Sequence, residues 1–343
     1  MYESFYGLTG KPFQLNPDPE FFFASRGHAR AYAYLQYGIH QSEGFIVVTG
    51  EVGAGKTTLV RSLFQRLDSS KVVAAQLVST QLDAEDLLKS VATAFGVPAK
   101  TSDKAQLLAQ LEAFLTSLVL ENKRALLIVD EAQNLTARAV EELRMLSNFQ
   151  LGDRALLQSF LVGQPELRQV LQSGALHQLR QRIIASYHLG PMEPSETRGY
   201  IEHRLKYVGW KGRPAFEADA YDAIHLATGG IPRRINLLAN RVMLAGYLAE
   251  KQAITAADVR AVSNEMRAEL GPEAVPSPLA AIAQGAKPTA NLPVPVTQLL
   301  GPDARITKLE DRITRLERLL HSTVSLLHTL IERDQRGRSS RSG

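Results

Sequence analysis

The sequence predicts an α/β fold, a parallel sheet with helices on both faces, followed by a small all-helical domain. Three observations carry that expectation. Short apolar runs alternate with helical patterns through the first half of the chain. The runs are rich in Val, Ile and Leu, which suits strands covered on both sides. Beyond Pro191 the runs stop and helical periodicity alone continues.

The first strand is expected in Gly44-Phe45-Ile46-Val47-Val48-Thr49-Gly50, an apolar run closed by glycines. Val72–Val78, Ala125–Val129 and Ser159–Val162 read as three more, and Tyr187-His188-Leu189 as a fifth. Between them, Asp83 with Asp86 opens a helix that ends at Gly96 and Pro98. Leu107, Leu108, Leu111, Leu115 and Leu118 form the apolar stripe of another. Ser195–Tyr207, Glu217–Ala227, Ile231–Ala249 and Thr255–Leu270 carry helical spacing, separated by Gly- or Pro-containing turns.

Residues 271–303 hold seven of the sixteen prolines and three charged residues, the composition of an extended, flexible linker. After it, Ile306, Ile313, Leu320 and Leu327 share one heptad position, and Leu309, Leu316, Thr323 and Leu330 follow three residues later. These are a and d positions of a coiled coil over 304–335, with Arg305–Glu310 and Arg312–Glu317 placed for interhelical pairing. Leu319, Val324, Leu326 and Ile331 widen the apolar face toward a higher oligomer or a docked partner helix. The alternative is an amphipathic helix folded back on its own body. Residues 336–343 form a basic tail.

Composition excludes several classes. Hydrophobic residues make up 45% and charged residues 22%, an ordinary globular balance. The absence of cysteine rules out disulfides, thiolate metal sites and thiol nucleophiles. Met1–Tyr6 lacks the basic start of a signal peptide, and no window approaches the roughly 18 apolar residues of a membrane span. The expectation is a cytoplasmic protein. Residues 304–343 hold nine Lys/Arg against five Asp/Glu, whereas the other 303 residues hold thirty of each. The neutral body disfavours a broadly basic nucleic-acid-binding surface.

The chemistry is concentrated in two places. Gly50-Glu51-Val52-Gly53-Ala54-Gly55-Lys56-Thr57, continuing into Thr58, fits the phosphate-loop pattern between a strand and a helix. Its backbone N–H groups can curl around phosphate oxygens at a helix N-terminus. Lys56 supplies charge to the β- and γ-phosphates, and the Thr57 hydroxyl is placed to ligand Mg²⁺. Leu126-Leu127-Ile128-Val129-Asp130-Glu131 ends a strand in two carboxylates. Asp130 suits a magnesium held through its waters, and Glu131 suits a general base acting on the attacking water.

With these motifs the chain resembles an AAA+ P-loop ATPase, and more narrowly the ExeA-like, general secretion pathway ATPase A family. Tyr6-Gly7-Leu8, Lys11-Pro12-Phe13, Pro17-Asp18-Pro19 and Ser25 with His28 resemble that family's segment ahead of the loop. Val129–Gln133, Phe160–Leu167, Gln181-Arg182-Ile183 and Gly229–Asn236 match later blocks. The likeness covers residues 1 to about 268. It implies ATP and Mg²⁺ as ligands and a nucleotide-dependent, ring-type homo-oligomer. It implies a sensor role for Gln164, the alternative being a loop-capping amide. Either Arg182 or Arg180 becomes the arginine finger reaching a neighbouring subunit, the alternative being an internal contact. Arg233, or else Arg234, would touch phosphate from the helical lid. Asn16–Phe23 lies where relatives cover the adenine, or else plugs the first strand.

The expected division is 1–42 leading segment, 43–192 nucleotide-binding domain, 193–270 helical lid, 271–303 linker, 304–335 coiled coil and 336–343 tail. Longer relatives continue into a membrane helix and a peptidoglycan-binding region. The tail here instead resembles ATPases of exosortase and exopolysaccharide loci. The expected function is assembly or remodelling of an envelope export complex, peripheral to the inner membrane, with a protein partner on the coiled coil. A DNA-acting ATPase similar to transposition or initiator proteins is the alternative. A scaffold that binds nucleotide without turnover is the third.

Overall fold

The computed structural model describes residues 1–270 except 42, 79–81, 100–102 and 173–175. The expected linker, coiled coil and basic tail lie outside the described residues. The leading segment contributes α1 (Tyr2–Phe5) and α2 (Arg26–Gln41). The sheet-bearing part then runs β1 (Phe45–Gly50), α3 (Lys56–Arg66), β2 (Val72–Val78), α4 (Ala84–Ala94), α5 (Lys104–Leu120) and β3 (Arg124–Asp130). It continues through α6 (Ala137–Leu146), β4 (Gln150–Leu151), β5 (Arg154–Ala155), β6 (Leu157–Gly163), α7 (Glu166–Gln172), α8 (His177–Arg180) and β7 (Ile183–Leu189).

Five strands form one parallel sheet in the order β2-β3-β6-β1-β7. Alternation along β1 divides the core in two, because successive strand side chains point to opposite faces. Phe45 and Val47 join Leu87, Leu111 and Leu143 from α4, α5 and α6. Ile46 and Val48 join Leu35 of α2 and Leu59 and Leu63 of α3. The helix caps agree with the sequence. Asp83 accepts hydrogen bonds from the backbone N–H of Glu85 and Asp86, and Asp103 accepts from Ala105. The small hairpin β4–β5, between α6 and β6, has no counterpart among the expected elements.

After β7 come α9 (Pro194–Tyr207), β8 (Ala215–Phe216), α10 (Ala218–Thr228), α11 (Pro232–Leu248), β9 (Ala253–Ile254) and α12 (Ala256–Leu270). The four helices fall within two residues of their expected limits. The strands do not stop entirely, since β8 and β9 pair in parallel over two residues. A third apolar cluster fills this part, and it includes Tyr2, Tyr6, Leu8, Phe13 and Phe21.

That cluster bears on the second of the two readings of Asn16–Phe23. Phe21 and Phe23 do not plug the first strand. Phe21 lies against Tyr207 with ring centroids 4.3 Å apart, and Phe23 lies edge-on to Tyr200 at 5.9 Å. Both tyrosines belong to α9. Buried Arg204, also on α9, donates to the carbonyls of Pro12 at 2.5 Å and Gln14 at 3.2 Å and to the Tyr200 hydroxyl. The segment is therefore strapped to the helical part by hydrogen bonds as well as by rings. Phe22 alone turns the other way, onto the α2–α3 side of the sheet.

Candidate functional site

Every strand of a parallel sheet ends at the same edge, and ligands of such sheets collect there. The register places Gly50 of β1 opposite Leu189 of β7, and Asp130 of β3 opposite Val78 of β2. The loop from Gly50 to Gly55 leaves that edge and enters α3, whose N-cap is Gly55 with φ +99°. Gly53 also has positive φ, at +82°. These left-handed positions let the backbone reverse without a Cβ clash.

Lys56 is buried, and its ammonium donates to the carbonyls of Gly50 at 2.7 Å and Glu51 at 3.0 Å. Burial lowers its pKa, against the opposing pull of the Glu131 and Asp130 carboxylates. The Thr57 hydroxyl donates to Asp130 Oδ2 at 3.1 Å, and Glu131 N–H donates to Asp130 Oδ1 at 3.0 Å. Asp130 is 3% exposed, and burial pushes its pKa up. A buried carboxylate beside a hydroxyl is an oxygen donor set of the kind hard cations take. The residues therefore fit Mg²⁺, with Thr57 and Asp130 as the groups to hold it.

Glu131 adopts a left-handed backbone, φ +54°, uncommon for a residue with a side chain and typical of functional turns. Its Oε2 accepts from Gln133 Nε2 at 2.6 Å and from Gln164 Nε2 at 3.3 Å. Gln133 Oε1 also accepts from Gln164 N–H at 3.0 Å. Gln133 thus bridges the two groups. The motif itself assigns Gln133 no role, and its position two residues after Glu131 is the signal the sequence carries.

A cavity of about 190 Å³ joins these parts. It is lined by Gly53, Gly55, Lys56, Thr57, Thr58, Glu131 and Gln164, by Asn16–Asp18 and Phe21–Phe23, and by Arg233. Val52 also lines it while remaining largely exposed, Glu51 is exposed, and Ala54 is buried. Arg233 N–H, in the first turn of α11, donates to the Gly53 carbonyl at 3.1 Å. Of the two lid arginines it is Arg233 that lines the cavity.

Arg180 and Arg182 stay outside it. Arg182 precedes Ile183, which pairs with Phe45 at the opposite end of β1 from the loop. Its Nη1 donates to the Ser147 carbonyl at 3.0 Å and the Ser147 hydroxyl at 2.9 Å. Among the described residues, Arg180 donates to the Gln172 carbonyl at 3.4 Å. Neither lines this cavity.

This geometry agrees with the comparisons. A family model described as an AAA domain matches residues 39–171. General secretion pathway protein A from Aeromonas hydrophila is 37% identical over 267 residues, 78% of this chain and 48% of that protein. The chain is an AAA+ P-loop NTPase of the ExeA-like family. It spans about half the length of that curated relative. The Aeropyrum pernix ORC2 protein shares its fold with TM-score 0.54 at 18% identity, over 70% of this chain and 67% of that one. Cdc6p from Pyrobaculum aerophilum does so with TM-score 0.54 at 17% identity, over 77% and 70%. In this ExeA-like chain no helix among the described residues is long and apolar enough to cross a membrane.

Proposed function

We propose that this ExeA-like protein is a Mg²⁺-dependent ATPase that works as a nucleotide-dependent homo-oligomer. The observation that carries the chemistry is the meeting of Lys56, Thr57, Glu131 and Gln164 at one cavity, with Asp130 hydrogen-bonded to Thr57 behind it. Lys56 and the loop N–H groups bind the β- and γ-phosphates. Glu131 takes a proton from the attacking water, and the Gln164 amide orients that water. Bound Mg²⁺ supplies positive charge at the phosphate oxygens. Arg182, or else Arg180, acts in the cavity of a neighbouring subunit, where a guanidinium stabilises transition-state charge.

The biological role we infer is assembly or remodelling of a bacterial envelope secretion or exopolysaccharide export complex. Its support is the likeness to General secretion pathway protein A. The protein would work in the cytoplasm, peripheral to the inner membrane, with residues 304–335 as a coiled coil that binds an export component. The test is light scattering of Glu131→Gln with and without ATP and Mg²⁺, on the full chain and on one ending at residue 270. ATP-driven assembly of both supports a shared active site. Assembly of the full chain alone, indifferent to ATP, overturns it and leaves a scaffold. Turnover that duplex DNA raises and salt abolishes would replace the export role with a DNA-acting one.

A further inference from the structure

A histidine that the chemistry above does not use lies on the cavity wall beside the loop. His28, on α2, is 5% exposed. Its Nε2 is 3.1 Å from the Ala54 carbonyl oxygen and its Nδ1 is 2.7 Å from Ser25 Oγ. A carbonyl only accepts, so Nε2 carries the hydrogen and Nδ1 accepts from the Ser25 hydroxyl. Ser25 Oγ in turn accepts from His28 N–H at 3.3 Å, which fixes the hydroxyl in place. Burial pushes the imidazole down to about 4, so the ring is neutral and this tautomer persists at neutral pH.

The peptide between Ala54 and Gly55 is planar and trans, so its C=O and N–H point in opposite directions. Holding the Ala54 carbonyl against His28 aims the Gly55 N–H the other way. Gly55 itself lines the cavity. A Cβ at position 55 would lie 2.6 Å from His28 Nε2, so the imidazole approaches as closely as a glycine permits. On its other side the ring meets Phe22 edge-on, with centroids 5.8 Å apart, and Phe22 also lines the cavity.

We propose that His28 is a positioning residue for phosphate binding: through Nε2–H it holds the Ala54–Gly55 peptide in the orientation that presents Gly55 N–H to a nucleotide phosphate. The proposal rests on the reading of this loop as a nucleotide site. It predicts an effect on ligands that carry a polyphosphate group, whether or not a base is attached.

The experiment titrates full-length wild type, His28→Ala and His28→Gln with a fluorescent ATP analogue and, by calorimetry, with pyrophosphate. Urea unfolding runs in parallel. His28→Ala should weaken both ligands by about tenfold or more, the scale of one lost charge-assisted donor. His28→Gln, whose amide N–H replaces Nε2–H, should recover most of the loss. Equal binding by wild type and His28→Ala, with only stability reduced, overturns the proposal and leaves His28 a packing residue. A loss that Gln does not rescue also overturns it. If His28→Ala does not fold, Ser25→Ala carries the test. It should weaken pyrophosphate by about threefold, because Nδ1 is freed to take the hydrogen. Unchanged affinity there refutes the assignment. Failure of wild type to bind either ligand would instead overturn the nucleotide reading itself.

Discussion

Acid should destabilise this protein through His28, and the size of the effect follows from its burial. The imidazole sits at about 4 against an ordinary 6.5, because desolvation outweighs the Ala54 hydrogen bond and the nearby Glu196 charge. A folded value below the unfolded one means the unfolded chain binds more protons between them. Stability is then present in full above 6.5 and is lost as pH falls toward 4. The full gap corresponds to about 3 kcal/mol, and about 2 kcal/mol of it is lost by about pH 5. His28→Gln removes the titration and keeps an N–H donor. Urea unfolding of both proteins at about pH 7.5 and about pH 5 gives a double difference. Every other titrating group, buried Asp130 included, is common to the two proteins and cancels. Wild type should lose about 2 kcal/mol more than His28→Gln. Equal losses would mean that His28 is protonated in the folded state, and the tautomer argument would fail with it.

Three further outcomes follow from the same contacts. Lys56→Ala removes the ammonium held between the Gly50 and Glu51 carbonyls, and nucleotide affinity measured by fluorescence should fall about ten- to a hundredfold. Arg204→Met leaves the buried Pro12 carbonyl and the half-buried Gln14 carbonyl without that donor. Urea unfolding should show a loss of about 3 kcal/mol, and chymotrypsin should cut faster after Phe13. If Arg182 acts in trans, mixing Arg182→Ala with Lys56→Ala subunits should restore part of the hydrolysis that neither performs alone. An absence of rescue at every mixing ratio counts against that role.

The strands and the residues of the candidate phosphate loop were legible because both are written locally. Gly50–Thr57 states its own geometry, and each buried run of Val, Ile and Leu needs only a period or a length to be read. Asp130 and Glu131 were legible as the end of such a run. What escaped is what depends on contacts between distant residues. Asn16–Phe23 left two readings open, a cover for the adenine or a plug for β1, since an aromatic run before a strand carries no record of its partner. The rings of Phe21 and Phe23 meet Tyr207 and Tyr200 on α9. Gln133 escaped for a different reason. Its bond to Glu131 depends on the left-handed turn at Glu131, which a glutamate does not announce. His28 was visible only as part of a resemblance, because its partner Ala54 contributes a backbone carbonyl, and any residue has one. The hairpin β4–β5 is too short to show a period.

The two anchors on the loop differ in what stands behind them. His28 belongs to α2, whose Leu35 is packed against the sheet with Ile46 and Val48, so the Ala54 carbonyl is fixed relative to β1. Arg233 belongs to α11, whose Ile235, Leu238 and Val242 lie in the helical cluster, so the Gly53 carbonyl is fixed relative to the lid. Consecutive peptides of one loop therefore answer to different parts of the protein. The helical part's share is one backbone hydrogen bond, worth about 1 kcal/mol, together with the Arg233 side chain lying close over Gly53. The strap from Pro12 to Phe23 holds the lid far more firmly, through the Arg204 bonds and the rings of Phe21 and Phe23. That same strap runs through Asn16–Asp18 and Phe21–Phe23 along the cavity wall and on to Ser25 and His28. Motion of the helical part relative to the sheet must consequently strain the strap before it strains the loop. The cavity wall, more than the Arg233 contact, is where lid position and phosphate binding are mechanically joined.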